Sequence, residues 1–195
     1  IQIQAMIGAA PVGACLAAIA PILTRIVLPE RMAGVEGPLA ILSIAMIFAN
    51  PIGICSGYLR ANGRFSTLFH AQLFHTALLA VLALLGAWWM GINAVAVAIL
   101  VTSVVSGIIH VVLCANDPAW IAQLRIWPIK PVVTAIACFA PAAWFCWMRE
   151  GSTALLGGAA FTIIGAAAYF ALIRIIYPSI VGAIERTLAN RLRRN

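Results

Sequence analysis

Apolar residues in this chain run for about twenty positions at a time, and polar residues gather in the short breaks between them. An α-helix rises about 1.5 Å per residue, so a run of that length crosses a bilayer. Six stretches qualify: 3–23, 39–59, 67–89, 94–115, 131–148 and 153–176. They predict an all-α fold, a polytopic transmembrane helix bundle of six spans. The break after the third span is only residues 90–93, so spans three and four should form a tight antiparallel pair. Two longer breaks carry helix-start signals. Pro29 opens one candidate short helix. Asp117 can cap another, with Pro118 at its first position and Trp120, Leu124 and Trp127 on one face in the interface plane.

Composition agrees with this pattern. The chain has 195 residues, 64% hydrophobic and 9% charged. A soluble surface needs far more charge than that. The net charge of +7 sits in turns and the tail rather than in a patch interleaved with aromatics, which argues against nucleic acid as a partner. A basic tail over 177–195 suits anionic membrane lipids instead. The five cysteines form no Cys-x-x-Cys pair and read as apolar fillers. The first residue is Ile1, already inside an apolar run, and suggests that more chain precedes it.

Arginine and lysine set the expected orientation. Arg60, Arg64, Arg125, Lys130, Arg174, Arg186, Arg191, Arg193 and Arg194 share one side, and Arg25, Arg31 and Arg149 the other. The richer side is cytoplasmic by the positive-inside rule, which puts both ends of the chain in the cytoplasm. Trp88, Trp89, Trp144 and Trp147 then fall at the outer interface, where an amphipathic ring settles.

The spans lack the groups that most membrane chemistry uses. Glu30, Glu36, Asp117, Glu150 and Glu185 all lie in connections or the tail, whereas proton and sodium sites commonly use buried acids. His70 and His75 are five apart and point about 140° apart on a helix, so they cannot share a metal. His110 stands alone in the fourth span. No catalytic constellation is visible, so the chain is expected not to be an enzyme, to hold no metal and to need no cofactor. The spans do carry helix breakers. Pro11 and Pro21 interrupt the first span, Asn50-Pro51 the second and Pro141 the fifth. Pro51 frees the carbonyl of Ile47, with Asn50 at the same depth. Broken helices with a polar group can line a substrate cavity, or can simply be packing kinks. Gln72 and His75 share a face of the third span, and Thr102, Ser103 and Ser106 add polar groups to the fourth. Arg25 either snorkels at the outer end of the first span or faces a cavity. Gly53-x-x-x-Gly57 would let a neighbouring helix approach closely.

One stretch carries a resemblance. Leu59-Arg60-Ala61-Asn62-Gly63-Arg64 joins a proline-bearing span to a long apolar one. The short turn Gly91-Ile92-Asn93-Ala94-Val95-Ala96-Val97-Ala98 follows. Over roughly residues 3–115 this resembles the carboxy-terminal half of polysaccharide-export flippases of the multidrug/oligosaccharidyl-lipid/polysaccharide exporter superfamily. The resemblance implies one lobe of a two-lobed, alternating-access transporter, partnered by an amino-terminal lobe of the same chain. It implies a bacterial inner-membrane location. The substrate would be a polyprenyl-diphosphate-linked oligosaccharide, such as an O-antigen or exopolysaccharide repeat unit. Asn50, Gln72, His75 and Arg25 are then cavity candidates, and Arg60 and Arg64 candidates for the cytoplasmic mouth. The family's cavity is cationic, and no arginine or lysine lies deep in these spans, so deep cations would come from the other lobe. Two alternatives stand beside this one: a drug or metabolite exporter of the same superfamily, and a non-transporting membrane subunit of a glycan-synthesis complex.

Overall fold

A computed structural model describes residues 2–28, 34–115, 129–149, 152–179 and 181–182. Six long helices make up the fold: α1 (Gln2–Val27), α2 (Glu36–Ala61), α3 (Phe65–Met90), α4 (Ile92–Cys114), α5 (Ile129–Met148) and α6 (Ser152–Ile176). No strand occurs among the described residues. Each helix is long and apolar enough to cross a membrane, and the chain is a multi-pass membrane protein on that basis. The helices overrun most of the expected spans by a few residues. A helix continues past the hydrocarbon edge until a turn residue satisfies its last carbonyls. The candidate helices at Pro29 and at Asp117–Trp127, and most of the basic tail with its arginines, lie outside the described residues.

Glycine supplies two of those turns. At the end of α2, Gly63 takes φ 69°. The Arg64 N–H donates to the Leu59 carbonyl at 2.9 Å and the Gly63 N–H to the Arg60 carbonyl at 3.0 Å. These two bonds around a left-handed residue are a Schellman cap. Gly91 alone joins α3 to α4, with φ 65° and ψ −145°, a conformation that only glycine adopts without strain.

The helices pack in the order α3, α4, α2, α1, α5, α6, with α6 folding back to touch α1. The central α1 is therefore enclosed on two sides. Its inner faces are built of Ala10, Gly13, Ala14 and Ala18, all buried. Small side chains let the neighbouring backbones close in, and such packing holds helices together where lipid is as apolar as leucine. One core joins α1, α5 and α6 through Ile7, Phe139, Tyr169 and Ile173, with Ile47 reaching in from α2. A smaller core joins α2, α3 and α4 through Cys55, Leu59, Leu68 and Cys114.

The prolines do not divide their helices. α1 runs through Pro11 and Pro21, α2 through Pro51 and α5 through Pro141. Each removes one rung of hydrogen bonding and leaves the helix intact. In a bilayer, ending a helix would expose many unpaired backbone groups, so a single missing rung is the smaller cost. Pro11 leaves the Ile7 carbonyl without its usual donor, and the Tyr169 hydroxyl of α6 donates to that carbonyl at 2.8 Å.

The close approaches also differ from those expected. Among the described residues nothing lies within 4 Å of a Cβ placed on Gly53 or Gly57, so that pair joins none of the six helices. The tight contacts fall at other glycines. A Cβ on Gly13 would sit 2.6 Å from the Ser43 carbonyl oxygen of α2, and one on Gly165 would sit 2.7 Å from the Cys138 carbonyl oxygen of α5. Spacing within one helix identifies small residues but not the face that meets a neighbour.

Candidate functional site

The polar groups of the interior collect where α2, α3 and α4 meet. On α4, Thr102, Ser106 and His110 recur every four residues and so fall along one side. All three are buried, and His110 is fully enclosed. On α3, Gln72 and His75 occupy one face, as their spacing predicts, and both are half-buried. The Gln72 amide donates to the Ser56 hydroxyl of α2 at 3.4 Å, a long bond. Nδ1 of His75 lies 2.9 Å from the Ser106 hydroxyl. Nδ1 of His110 lies 2.8 Å from the Ser106 backbone carbonyl one turn earlier.

That last contact fixes a proton. A carbonyl oxygen can only accept, so Nδ1 of His110 carries the hydrogen. In the neutral ring Nε2 is then a bare acceptor. It is buried with no hydrogen-bond partner among the described residues, as is the Thr102 hydroxyl. Buried polar atoms are nearly always paired; two of the three unpaired ones among the described residues fall on one side of α4, and the third is the Tyr177 hydroxyl in the other core.

His70 points elsewhere. It is exposed, with Nδ1 2.7 Å from the Ser66 carbonyl, as its angular separation from His75 requires. Among the described residues no group of three or more potential metal ligands forms.

The remaining candidates do not converge on this seam. Asn50 is half-buried in α2 next to the buried Pro51 and takes no part in the bonds at Gln72 and His75. Arg25 is exposed near the end of α1, and it belongs to the opposite end of the bundle from Arg60 and Arg64. Contacts between helix ends fix that arrangement. Arg64, heading α3, donates to the Leu113 carbonyl at the close of α4 at 3.3 Å, and the Cys114 thiol of α4 reaches the Cys55 carbonyl late in α2 at 3.9 Å. Arg60, Arg64, Lys130 and Arg174 thus sit at one end of the bundle, and Arg25 and Arg149 at the other. At the first end burial pushes the Tyr177 phenol above its ordinary value, so it stays neutral.

Arg64 has a structural task that the sequence did not reveal. Its guanidinium satisfies one of the last carbonyls of α4 and places a cation at the negative end of that helix. Replacing Arg64 with Gln is expected to destabilise the α3–α4 pair by about 1 kcal/mol. Thermal unfolding in detergent would check this, with Arg60→Gln, on an exposed side chain, as the near-neutral comparison.

The link from His75 to His110 through Ser106 was also not legible in the sequence, where His110 stands alone. The four-residue recurrence of Thr102, Ser106 and His110 was the available signal. Compared with the models of known protein families, with curated proteins and with solved structures, the chain matches none.

Proposed function

We propose that this bundle is a lobe of a membrane transporter that moves a lipid-linked, anionic glycan across the cytoplasmic membrane. The observation that carries the transport reading is the polar seam between α2, α3 and α4. Polar groups within a bilayer are costly and are kept where they act on a substrate or an ion. Gln72 and His75 supply donors and acceptors on the half-buried side of that seam. The substrate class rests on the resemblance around Leu59–Arg64 and on the cations at that end. With the cation-rich end in the cytoplasm, Arg60 stands where a diphosphate head group would enter. Arg64 is already engaged with α4, so Arg60 is the cleaner probe.

Arg60→Gln is expected to lower export of the lipid-linked glycan several-fold while the protein inserts in normal amount. Measuring surface glycan against membrane-bound protein in the producing cell checks this, and unchanged export would remove Arg60 from the path. One observation favours a second reading. Gly53 and Gly57 face open space and with Ala49 form an exposed small-residue strip on α2. A strip of that kind suits a partner helix, as a subunit of a larger glycan-synthesis assembly would need. Glycan export surviving deletion of the gene would support that reading over transport.

A further inference from the structure

We propose that Cys55 and Cys114 are a redox pair, two thiols that oxidation joins into a disulfide across the α2–α4 contact. The inference stands apart from the transport reading and does not depend on which substrate is carried. All five cysteines are free thiols. Cys15 and Cys138 pack on the larger core, where a small apolar side chain suffices. Cys55 and Cys114 differ, because the fold places them against each other. Both are enclosed in the smaller core with Leu59 and Leu68. The Cys114 thiol lies 3.9 Å from the Cys55 carbonyl, so the sulfur of one rests on the residue that bears the other.

Register explains the meeting. α3 turns the chain back once and α4 turns it again, so α2 and α4 run in the same direction. They are the most extensively packed pair of helices. A Cβ on Gly107 of α4 would sit 3.2 Å from the Phe48 carbonyl oxygen of α2, and the missing side chain lets the two backbones close in. Cys114 follows Gly107 by seven residues and Cys55 follows Phe48 by seven, two helical turns in each case. Parallel helices in that register bring both cysteines to the same depth. A disulfide needs Cβ atoms about 3.5–4.5 Å apart, and neither helix has to slide along its axis to present them.

Position also selects the oxidant. Enclosed thiols are inert towards reagents dissolved in water. These two are covered by Ile54, Leu68 and Val111, so a reagent reaches them from the apolar phase. Cys114 is the last residue of α4, and a terminal turn opens more readily than the middle of a helix. An organic hydroperoxide dissolved in the bilayer has the chemistry required. One sulfur attacks the O–O bond and takes the hydroxyl group, its proton passes to the departing alkoxide, and an alcohol leaves. The second sulfur then displaces that hydroxyl, which departs as water with the second thiol's proton. The two sulfurs together lose two electrons and the peroxide gains them. The disulfide ties the cation-rich end of α2 to that of α4, the helices that hold Ser56, Thr102 and Ser106. A dithiol reverses it by exchange.

The test treats the whole chain in phosphatidylcholine vesicles with cumene hydroperoxide, alkylates the remaining thiols and maps the peptides by mass. The expected result is a link between the peptides carrying Cys55 and Cys114, with both thiols lost to alkylation and both restored by dithiothreitol. The oxidised chain should also resist denaturing detergent better than the reduced chain, because the link closes a loop without displacing the helices. That gain should vanish in Cys55→Ala, whose own cooperative unfolding before oxidation reports that it is folded. A folded chain that forms no Cys55–Cys114 link, an oxidised chain that unfolds more easily than the reduced one, or an equal gain in Cys55→Ala would each overturn the proposal. Failure here leaves the glycan-export result for Arg60→Gln untouched, so the two readings fall separately.

Discussion

Alanine at Gly13 or Gly165 should unfold or loosen the bundle, whereas alanine at Gly53 or Gly57 should not. The four substitutions add the same methyl group in the same kind of helix. Each also gains up to about 1 kcal/mol of helix propensity over glycine. At Gly13 the new Cβ meets the Ser43 carbonyl oxygen at 2.6 Å and Ile47 at 2.5 Å. At Gly165 it meets the Cys138 carbonyl oxygen at 2.7 Å. A flexible side-chain tip can swing aside, but a backbone oxygen inside a helix cannot. The helices must then move apart and lose contact along their length. Overpacking of this kind costs about 1–3 kcal/mol or more and outweighs the propensity gain. Gly53 and Gly57 face open space, so only the gain remains. Unfolding by graded denaturing detergent would separate the two classes. Equal behaviour of Gly165→Ala and Gly53→Ala would mean that α5 and α6 do not meet as described.

Loss of the Tyr169 hydroxyl is expected to cost about 1–2 kcal/mol, and the cost should shrink when Pro11 is also replaced. Hydrogen bonds between membrane helices average only about 0.6 kcal/mol, because each partner can find another. Here the acceptor has no substitute within its own helix. Pro11 has no N–H, so the Ile7 carbonyl depends on Tyr169, whose side chain is fully enclosed. Tyr169→Phe leaves that carbonyl unpaired in an apolar interior, which places the cost at the upper end of the range. Pro11→Ala restores an N–H four residues on and gives the carbonyl its ordinary partner. In that background Tyr169→Phe should cost less than half as much. A double-mutant cycle read by denaturing-detergent unfolding measures the difference. Strict additivity would show that the tyrosine does not serve the proline gap.

Both results would bear on the transport reading. The tyrosine tether and the tight glycines hold α1, α5 and α6 together, whereas the polar seam belongs to α2, α3 and α4. The first group is close-packed and mostly apolar. The second holds the serines, the glutamine and the histidine pair, and its outermost helix, α3, is packed mainly on one neighbour. Movement of α3 against α4 would disturb the seam and leave the first group intact.

The sequence by itself determined six helices and, to within a few residues, where each one runs. Each of these follows from local quantities: a run of apolar residues long enough to cross a bilayer, glycines where the backbone must turn, and cations that stay at the ends. It also determined that Gln72 and His75 share a face and that His70 does not, because the helix period alone decides that. Only the tertiary structure decided which faces meet. Gly53 and Gly57 carry the spacing of a packing motif yet stand open, while Gly13 and Gly165 carry the tight contacts. Pro11 reads as a break until Tyr169, far along the chain, is seen to fill its gap. His110 looks solitary until Ser106 joins it to His75. In a chain apolar on nearly every side, hydrophobicity does not distinguish the face that meets protein from the face that meets lipid. That choice rests on shape and on a few polar bonds between residues distant in sequence.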